Sequence, residues 1–333
     1  MPPQEPRERA AERATARVPT HHGDARVEYE ALKGGAGLVD RSDRSVLRLA
    51  GKDPVGMLNA VLTNEVPKEP SLGVYAALLN PKGRIQTDLR VLKSDGEVFV
   101  DTEPEGAVAT REILGRYAPF SRVKIEDLSG EDELWGVLGL YGPRAARLLG
   151  GLRLAEYETA WIEVGDATLL AAGVAAPVPG FDLLGPADTL RAVSDHLARA
   201  GARLIGLDAY ETIRVEAGIP RFGADITPEN FPAEAGILER AVSFSKGCYP
   251  GQETVARMHY RGHPNRTLHR LVVDGPPPPP KTPIVQNEKQ VGTITSIAPL
   301  PVSGSTLALG YLSRNARKDA PLSAGDATVR PIL

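Results

Sequence analysis

The chain has 333 residues, of which 42% are hydrophobic and 24% are charged, and its single cysteine excludes an internal disulfide. A chain of this length buries enough apolar surface for two or three domains without a structural metal or a disulfide. The formal net charge of −3 excludes an overall attraction to nucleic acids or anionic membranes. The sparing use of cysteine predicts a reducing, cytoplasmic compartment.

Residues 1–25 contain no apolar run. We therefore expect neither a secretory signal nor a membrane-spanning segment in this part of the chain. The segment is predicted to form a disordered or extended arm.

The first predicted unit, over residues 35–130, alternates strands and helices. A strand over Ser45–Gly51 is followed by a helix that starts at Asp53 and Pro54, where an aspartate N-cap precedes a first-turn proline. The next predicted elements are strands over Tyr75–Leu79, Arg84–Leu92 and Val98–Asp101, a helix over Pro104–Tyr117 and a strand over Val123–Asp127. This order is that of a ferredoxin-like βαββαβ unit with one extra strand, which is an α+β architecture.

A second unit, over residues 131–205, is predicted from an internal repeat. Five residues of the first strand and helix recur at one constant offset, so that Val46, Leu47, Leu49, Gly51 and Leu58 are matched by Val137, Leu138, Leu140, Gly142 and Leu149. Two such units would pack with a cleft between them. Small ligands commonly bind in clefts of this kind.

Residues 206–265 are expected to pack on both units. They begin with a helix over Leu207–Ala217, which Gly218 ends, and this helix places Tyr210 and Arg214 on one side. Glu216 lies in the last turn, where the helix dipole disfavours a carboxylate. It therefore needs either solvent or a specific hydrogen-bond donor, and the residues alone leave both open.

The sole cysteine lies in the segment Lys246-Gly247-Cys248-Tyr249-Pro250-Gly251-Gln252-Glu253, with Arg257 one turn further on. We predict a strand over Ala241–Ser245 and a helix from Pro250 through Arg257, with Cys248 at their junction. There the helix N-terminus and the charge of Lys246 would favour a thiolate. Gly247 and Gly251 would permit close backbone approach or a positive φ. The alternative is an inert, buried cysteine in a tight turn.

Residues 266–333 are predicted to form a small antiparallel β-barrel or sandwich. Its strand-like pieces are Thr267–Val273, Ile284–Val285, Val291–Ile297 and Thr306–Leu312, and Pro276–Pro280 forms an extended connection between the first two.

Residues 246–257, in the pattern Lys-Gly-Cys-Tyr-x-Gly-Gln-Glu-x-x-x-Arg, resemble the signature of the YgfZ family of folate-binding proteins, which is implicated in iron–sulfur cluster assembly or repair. The resemblance covers most of the chain from about residue 35. It includes the segments Gly37–Ser42, Leu79–Ile85, Ile213–Pro220, Pro232–Ala235 and Val291–Ser296.

That family is related to the aminomethyltransferase, or T-protein, of the glycine cleavage system. The kinship implies a three-domain ring of two ferredoxin-like α+β subdomains and a C-terminal β-barrel, with tetrahydrofolate or a one-carbon derivative near its centre. It implies that Glu216 binds the pterin, and we predict Asp88, Tyr210 and Arg214 as further folate-binding residues. Thr87 stands where T-proteins carry the first residue of an acidic pair, and this departure counts against aminomethyl transfer.

Our leading hypothesis is a tetrahydrofolate-binding accessory protein with a functional thiol at Cys248, assisted by Lys246. The rest of the signature supports this site: Gly247, Tyr249, Gly251, Gln252, Glu253 and Arg257. Arg257 would fix Glu253 or meet a folate carboxylate. We predict no resident metal site, because a single cysteine would have to share a cluster with an iron–sulfur enzyme or an assembly protein. Whether a reaction is catalysed stays open.

Two alternatives remain. The first is a folate-dependent aminomethyl or one-carbon transferase that uses Asp88. The second is an RNA-associated protein linked to tRNA modification, because Arg257, Arg261, Arg266 and Arg270 are interleaved with histidines and Tyr260.

Overall fold

The computed structural model describes residues 18–129, 134–317 and 320–332, so residues 1–17 of the predicted arm lie outside the described residues. Residues 18–24 are held against the rest of the protein. The amides of Leu207 and Asp208 donate to the carbonyls of Pro19 and Thr20 at 3.0 and 2.9 Å. Helix α1, over Ala25–Gly34, follows with Asp24 as its N-cap and was not predicted.

The first α+β unit has the predicted order of elements. It contains β2 (Ser45–Gly51), α2 (Pro54–Val61), β3 (Val74–Leu79), β4 (Ile85–Ser94), β5 (Glu97–Thr102), a 3₁₀ turn (Pro104–Gly106), α3 (Ala107–Ser121) and β6 (Val123–Asp127). The sheet order β3-β4-β5-β2-β6 is ferredoxin-like, with β3 as the extra edge strand. Helices α2 and α3 cover one face of the sheet, where Leu58 and Leu114 are fully buried.

The second unit repeats this order, which confirms the internal repeat. It contains β7 (Trp135–Tyr141), α4 (Ala145–Leu148), β8 (Thr159–Val164), β9 (Ala167–Val174), β10 (Gly180–Pro186), α5 (Ala187–Arg199) and β11 (Arg203–Ile205). Strand β1 (Gly37–Asp40) inserts between β11 and β7. The predicted start of the first unit at residue 35 is therefore wrong, because these residues belong to the sheet of the second unit.

The two sheets share a buried apolar layer. Val46 and Val137, which the sequence repeat matches, both lie in this layer, together with Phe99 and Leu170. The Phe99 ring stacks on Trp135 with centroids 5.7 Å apart. This packing fixes the two units against each other and leaves an open cleft at one side of the joint.

The segment after the second unit is less regular than predicted. It contains α6 (Leu207–Ala217), α7 (Leu238–Ala241) and α8 (Gln252–Arg261). The predicted strand over Ala241–Ser245 is wrong, because this stretch docks on Thr63 through single hydrogen bonds instead of a strand ladder. The last helix starts at Gln252 and not at Pro250.

The C-terminal part is the predicted closed barrel. Its strands are β12 (Arg266–Asp274), β13 (Pro283–Gln286), β14 (Lys289–Ile297), β15 (Thr306–Ser313), β16 (Leu322–Ala324) and β17 (Ala327–Pro331), in the order β12-β15-β14-β13-β16-β17. Helix α6 packs on β14 and β15. Within the described residues, no helix has both the length and the apolar composition needed to cross a membrane.

Candidate functional site

A cleft lies where the two α+β units meet the segment after α6. The space that its lining atoms enclose is about 120 Å³, and the rest of the opening is continuous with solvent. The enclosed volume is smaller than the roughly 300–1,000 Å³ of typical small-molecule sites, so a larger ligand would extend into the open part of the cleft. Strands β3, β4, β7 and β10, helix α6, and residues 219–222 and 237–240 contribute its walls. The cleft is therefore assembled from three regions of the chain that are far apart in sequence.

One wall of the cleft is a network of buried ion pairs. Arg44 donates to Asp101 at 2.8 Å and also to Glu103, and Arg41 donates to Glu103 at 2.9 Å. Burial raises the pKa of Glu103, but Arg44 and Arg41 outweigh that effect and hold it at about 2. The carboxylate is therefore ionised at neutral pH.

A second ion pair joins the two units across the cleft. Arg90 of β4 donates to Asp101 of β5 at 2.8 Å and to Asp182 of β10 at 2.5 Å. The Tyr141 hydroxyl donates to the other oxygen of Asp182. Asp101 and Asp182 are almost fully buried, so removing their charges from water costs free energy. The ion pairs with Arg90 offset part of this cost.

Asp88, a predicted folate contact, lies in the cleft on β4. Its carboxylate accepts a hydrogen bond from the Tyr75 hydroxyl at 2.6 Å. Burial raises the pKa of Asp88 to about 6. The Arg240 guanidinium lies 5.4 Å from the Tyr75 ring centre and donates to the Tyr157 hydroxyl at 2.9 Å. Asp88 is thus a carboxyl group that can change protonation near neutral pH.

Tyr210 and Arg214, the next predicted contacts, also line the cleft. The Tyr210 ring stacks on Tyr141 with centroids 5.9 Å apart, and the Arg41 guanidinium carbon lies 5.0 Å from the centroid of the Tyr210 ring. Arg214 is 3% exposed and donates to Asp225 at 2.7 Å. The Arg214 charge is therefore already neutralised by the protein.

Glu216, predicted to bind the pterin, is not part of the cleft lining. Its carboxylate accepts hydrogen bonds from the Tyr29 hydroxyl at 2.7 Å and from Lys33 at 2.8 Å. Two residues of an α-helix that are two positions apart point in nearly opposite directions, so Glu216 cannot share the side that Arg214 presents to the cleft. The specific hydrogen-bond donors that Glu216 needs are therefore Tyr29 and Lys33 of α1.

Lys246 does not supply a charge to the thiol as we expected. Its ammonium group donates to the carbonyls of Asn59, Leu62 and Asn64 at 2.8, 2.5 and 3.2 Å. The three hydrogen bonds use all three protons of the ammonium group. They bind Lys246 to carbonyl groups at and just after the C-terminal end of α2. Burial lowers the pKa of Lys246 to about 8. The side chain therefore ties the signature segment to the first unit.

Cys248 is exposed and lies outside the cleft lining, so the alternative of a buried cysteine is wrong. It precedes the first residue of α8, Gln252, and is not in the first turn of the helix. The next residue, Tyr249, is 6% exposed and packs in an apolar layer with Phe222 and Ile237. Because Phe222 and Ile237 also line the cleft, this layer separates the cleft from the thiol.

Gly251 anchors the other end of the signature segment. It has a φ of 82°, and a Cβ added to it would lie 2.6 Å from the Asn80 carbonyl oxygen. The segment therefore docks closely on the turn formed by residues 80–83. Gly247, by contrast, has no heavy atom near its Cβ position and no positive φ. Only Gly251 of the two meets our expectation of close approach.

The remaining signature residues begin α8. Gln252 is half-buried, whereas Glu253 and Arg257 are exposed. No ion pair joins Glu253 to Arg257 in the described part of the chain, and neither residue lines the cleft. The expected fixing of Glu253 by Arg257 is therefore not seen.

Sequence reasoning missed most of the charged residues of the cleft, among them Arg41, Glu103, Arg221 and Arg240. Arg41 lies in the segment Gly37–Ser42, and the resemblance of this segment to the YgfZ family could have indicated that Arg41 belongs to the site. Glu103 and Arg240 carry no local pattern. No group of three metal-ligating side chains occurs in residues 18–129, 134–317 and 320–332.

Comparisons with known proteins agree with this architecture. The family model for the GCVT N-terminal domain matches residues 13–246, and that for the CAF17 C-terminal beta-barrel domain matches residues 265–333. The chain is 26% identical to an aminomethyltransferase of Moorella thermoacetica, over 89% of this chain and 83% of that protein. It is 28% identical to an aminomethyltransferase of Streptomyces avermitilis, over 92% and 86%.

Among solved structures, the glycine cleavage system aminomethyltransferase T from Bartonella henselae matches with a TM-score of 0.80 at 20% identity, over 98% of this chain and 95% of that chain. This likeness confirms the predicted three-part fold. Together, the two family models confirm the resemblance that the signature segment indicated.

Proposed function

The chain belongs to the GCVT N-terminal domain family, and on this premise we propose that it is a tetrahydrofolate-binding accessory protein that supports iron–sulfur cluster assembly or repair. In this proposal, tetrahydrofolate or a one-carbon derivative occupies the cleft and the Cys248 thiol acts at the outer surface. The observation that carries the proposal is an exposed thiol held in place beside, but not inside, a charged cleft.

The chemistry of the cleft suits a folate. A pterin ring is flat and has several N–H donors, and the cleft offers stacked Tyr141 and Tyr210 rings together with carboxylates. The tail of a folate carries carboxylates, and Arg240 provides a cationic group for them. The cleft thus combines complementary groups for both ends of the molecule.

The setting of Cys248 suits a thiol that meets another protein. The segment around it is fixed by Lys246 on one side and by buried Tyr249 and Gly251 on the other. An exposed cysteine on a fixed segment is accessible to a partner, and a thiolate is the form that binds iron or exchanges disulfides. Because the chain has one cysteine, a cluster would be shared with the partner protein.

Folate binding is tested by anaerobic calorimetry with tetrahydrofolate. We expect the wild type to bind and Tyr210→Ala to bind more weakly, because the variant loses a ring of the cleft wall. Glu216→Ala is the matched control, since its carboxylate is directed to Tyr29 and Lys33. Absence of binding by the wild type would contradict the proposal.

The role of the thiol is tested in cells that lack the protein. Cys248→Ala is expected to fold and to bind tetrahydrofolate as the wild type does, but to leave iron–sulfur enzymes inactive. Gly247→Ala, which changes the neighbouring residue without a steric conflict, is expected to restore their activity. Full rescue by Cys248→Ala would show that the thiol has no such role.

Asp88 favours a second candidate, a folate-dependent one-carbon transferase. It is buried in the cleft, and its pKa of about 6 suits a group that positions a folate or transfers a proton. Incubation with a methylene donor, tetrahydrofolate and any carrier protein should then give turnover that Asp88→Asn reduces. No turnover by the wild type would count against this candidate.

An exposed aromatic cluster favours a third candidate, RNA association. The Phe244 and His259 rings stack with centroids 4.2 Å apart, and Tyr260, which is 68% exposed, contacts both. Arg257 and Arg261 belong to the same helix, so flat π faces and cations occur together. Filter binding of transfer RNA at 150 mM salt should show retention that Tyr260→Ala reduces, and no retention would remove this candidate.

A further inference from the structure

Two buried polar atoms of the cleft residues have no hydrogen-bond partner in the described structure. They are Oε2 of Glu103 and Nε of Arg221. A buried polar atom without a partner costs free energy, so native proteins almost always satisfy such atoms with protein, water or a ligand. One acceptor and one donor are therefore available in the same cleft.

Glu103 is held so that only one of its two oxygens is used by the protein. Arg41 and Arg44 both donate to Oε1, and the residue is 9% exposed. The two guanidinium groups also keep the side chain ionised. Oε2 is therefore an acceptor on a carboxylate whose position is fixed by two ion pairs.

Arg221 follows α6 and is fixed through its backbone. Its amide donates to Asp225 at 3.1 Å. Its Nε lies 3.8 Å from Oε1 of Glu211, which is too long for a hydrogen bond. Arg221 is also close enough to Glu103 to help lower the pKa of that carboxyl group. The N–H donor of Arg221 and the free carboxylate oxygen of Glu103 thus belong to two side chains that line the same cleft.

Two other buried side-chain atoms of the described residues also have no partner. They are Oδ1 of Asp43 and the hydroxyl oxygen of Tyr249, and neither residue lines the cleft. Glu216, the carboxylate that the family resemblance implied, is also outside the cleft and already has two donors.

We propose that Glu103 and Arg221 recognise the amino-pyrimidinone edge of the folate pterin, a role that rests on the proposed binding of folate in the cleft. Oε2 of Glu103 accepts an N–H of the 2-amino group or ring nitrogen, and Nε of Arg221 donates to the ring oxygen. Arg41 connects this edge to the stacked tyrosines, because it contacts both Glu103 and Tyr210. A flat ring with adjacent donors and acceptors fits this arrangement.

The experiment compares two ligands and two proteins by anaerobic calorimetry. Wild type and Glu103→Gln are titrated with tetrahydrofolate and with its 2-desamino-2-methyl analogue. We expect Glu103→Gln to bind tetrahydrofolate about 10- to 100-fold more weakly, because it loses a hydrogen bond to a charged acceptor. The analogue lacks the 2-amino donors, so its affinity should differ little between the two proteins. Arg221→Lys, which keeps the charge but removes Nε, should also weaken tetrahydrofolate binding.

The outcomes separate this assignment from the proposed function. If the wild type binds tetrahydrofolate and Glu103→Gln binds it equally well, folate binding stands and the assignment is wrong. If Glu103→Gln does not fold, equal affinity of the wild type for both ligands likewise overturns the assignment, whereas a clear preference for tetrahydrofolate supports it. If the wild type binds neither ligand, the proposed function itself fails and the assignment with it.

Discussion

Replacing Gly251 by alanine tests whether the signature segment is fixed by its close contact with the turn over residues 80–83. The Cβ of the new residue would lie 2.6 Å from the Asn80 carbonyl oxygen and 2.8 Å from the Cα of Gly83. Both atoms belong to the backbone, so no side-chain rotation can relieve the conflict. In addition, the φ of 82° is a left-handed conformation that alanine disfavours.

The size of the effect follows from these two terms. A left-handed backbone costs about 1–2 kcal/mol for a residue with a Cβ. Forcing an extra methyl group into a packed site costs about 1–3 kcal/mol. Gly251→Ala should therefore lower the free energy of unfolding by about 2–5 kcal/mol, or move the turn away from α8.

The assay is guanidinium unfolding followed by circular dichroism, together with hydrogen exchange of the amides in residues 246–257. Gly251→Ala should lose stability and exchange faster in this segment. The control is Gly247→Ala, whose Cβ meets no heavy atom within 4 Å, and which should change the free energy of unfolding by less than about 0.5 kcal/mol. Equal stability and equal exchange in the two variants would refute the reasoning.

Three further predictions concern the cleft and the thiol. Arg214→Met should lower the free energy of unfolding by about 3–5 kcal/mol, because it leaves the carboxylates of Asp225 and Glu211 without their cationic partner. The control is Arg191→Ala, which removes an exposed ion pair and should change the free energy of unfolding by less than about 0.5 kcal/mol in the same assay. The pKa of Asp88 is about 6 in the folded protein against an ordinary 3.8, so its stabilising contribution is complete below about pH 4 and is lost as the pH rises through 6. Asp88→Asn should consequently gain about 2–3 kcal/mol on the wild type between about pH 4 and pH 7, and parallel pH profiles of stability would contradict this. Cys248→Ser should leave the dissociation constant for tetrahydrofolate unchanged in calorimetry, since the thiol is outside the cleft, and a weakened complex would place the thiol at the ligand.

Local and repeated patterns in the sequence were sufficient for the order of elements. Alternating apolar residues predicted β2 and β4, an Asp-Pro pair predicted the start of α2, and the offset between Val46 and Val137 predicted a second unit. Strand alternation and helix capping can be read from the sequence because they depend on residues only a few positions apart. An internal repeat can be read because its residues recur at one constant spacing. The signature around Cys248 likewise identified the family without any structure.

The tertiary structure decided where the functional side chains point and which partners they meet. Glu216 and Arg214 are neighbours in sequence, but the turn of the helix directs one to Tyr29 and the other to the cleft. Lys246 was assigned to the thiol next to it, whereas three backbone carbonyls of the first unit, almost two hundred residues away, take its protons. Glu103 became a candidate because two arginines use only one of its oxygens. Sequence specifies such a residue's identity, but its hydrogen bonds depend on elements that only folding brings within about 3 Å of it.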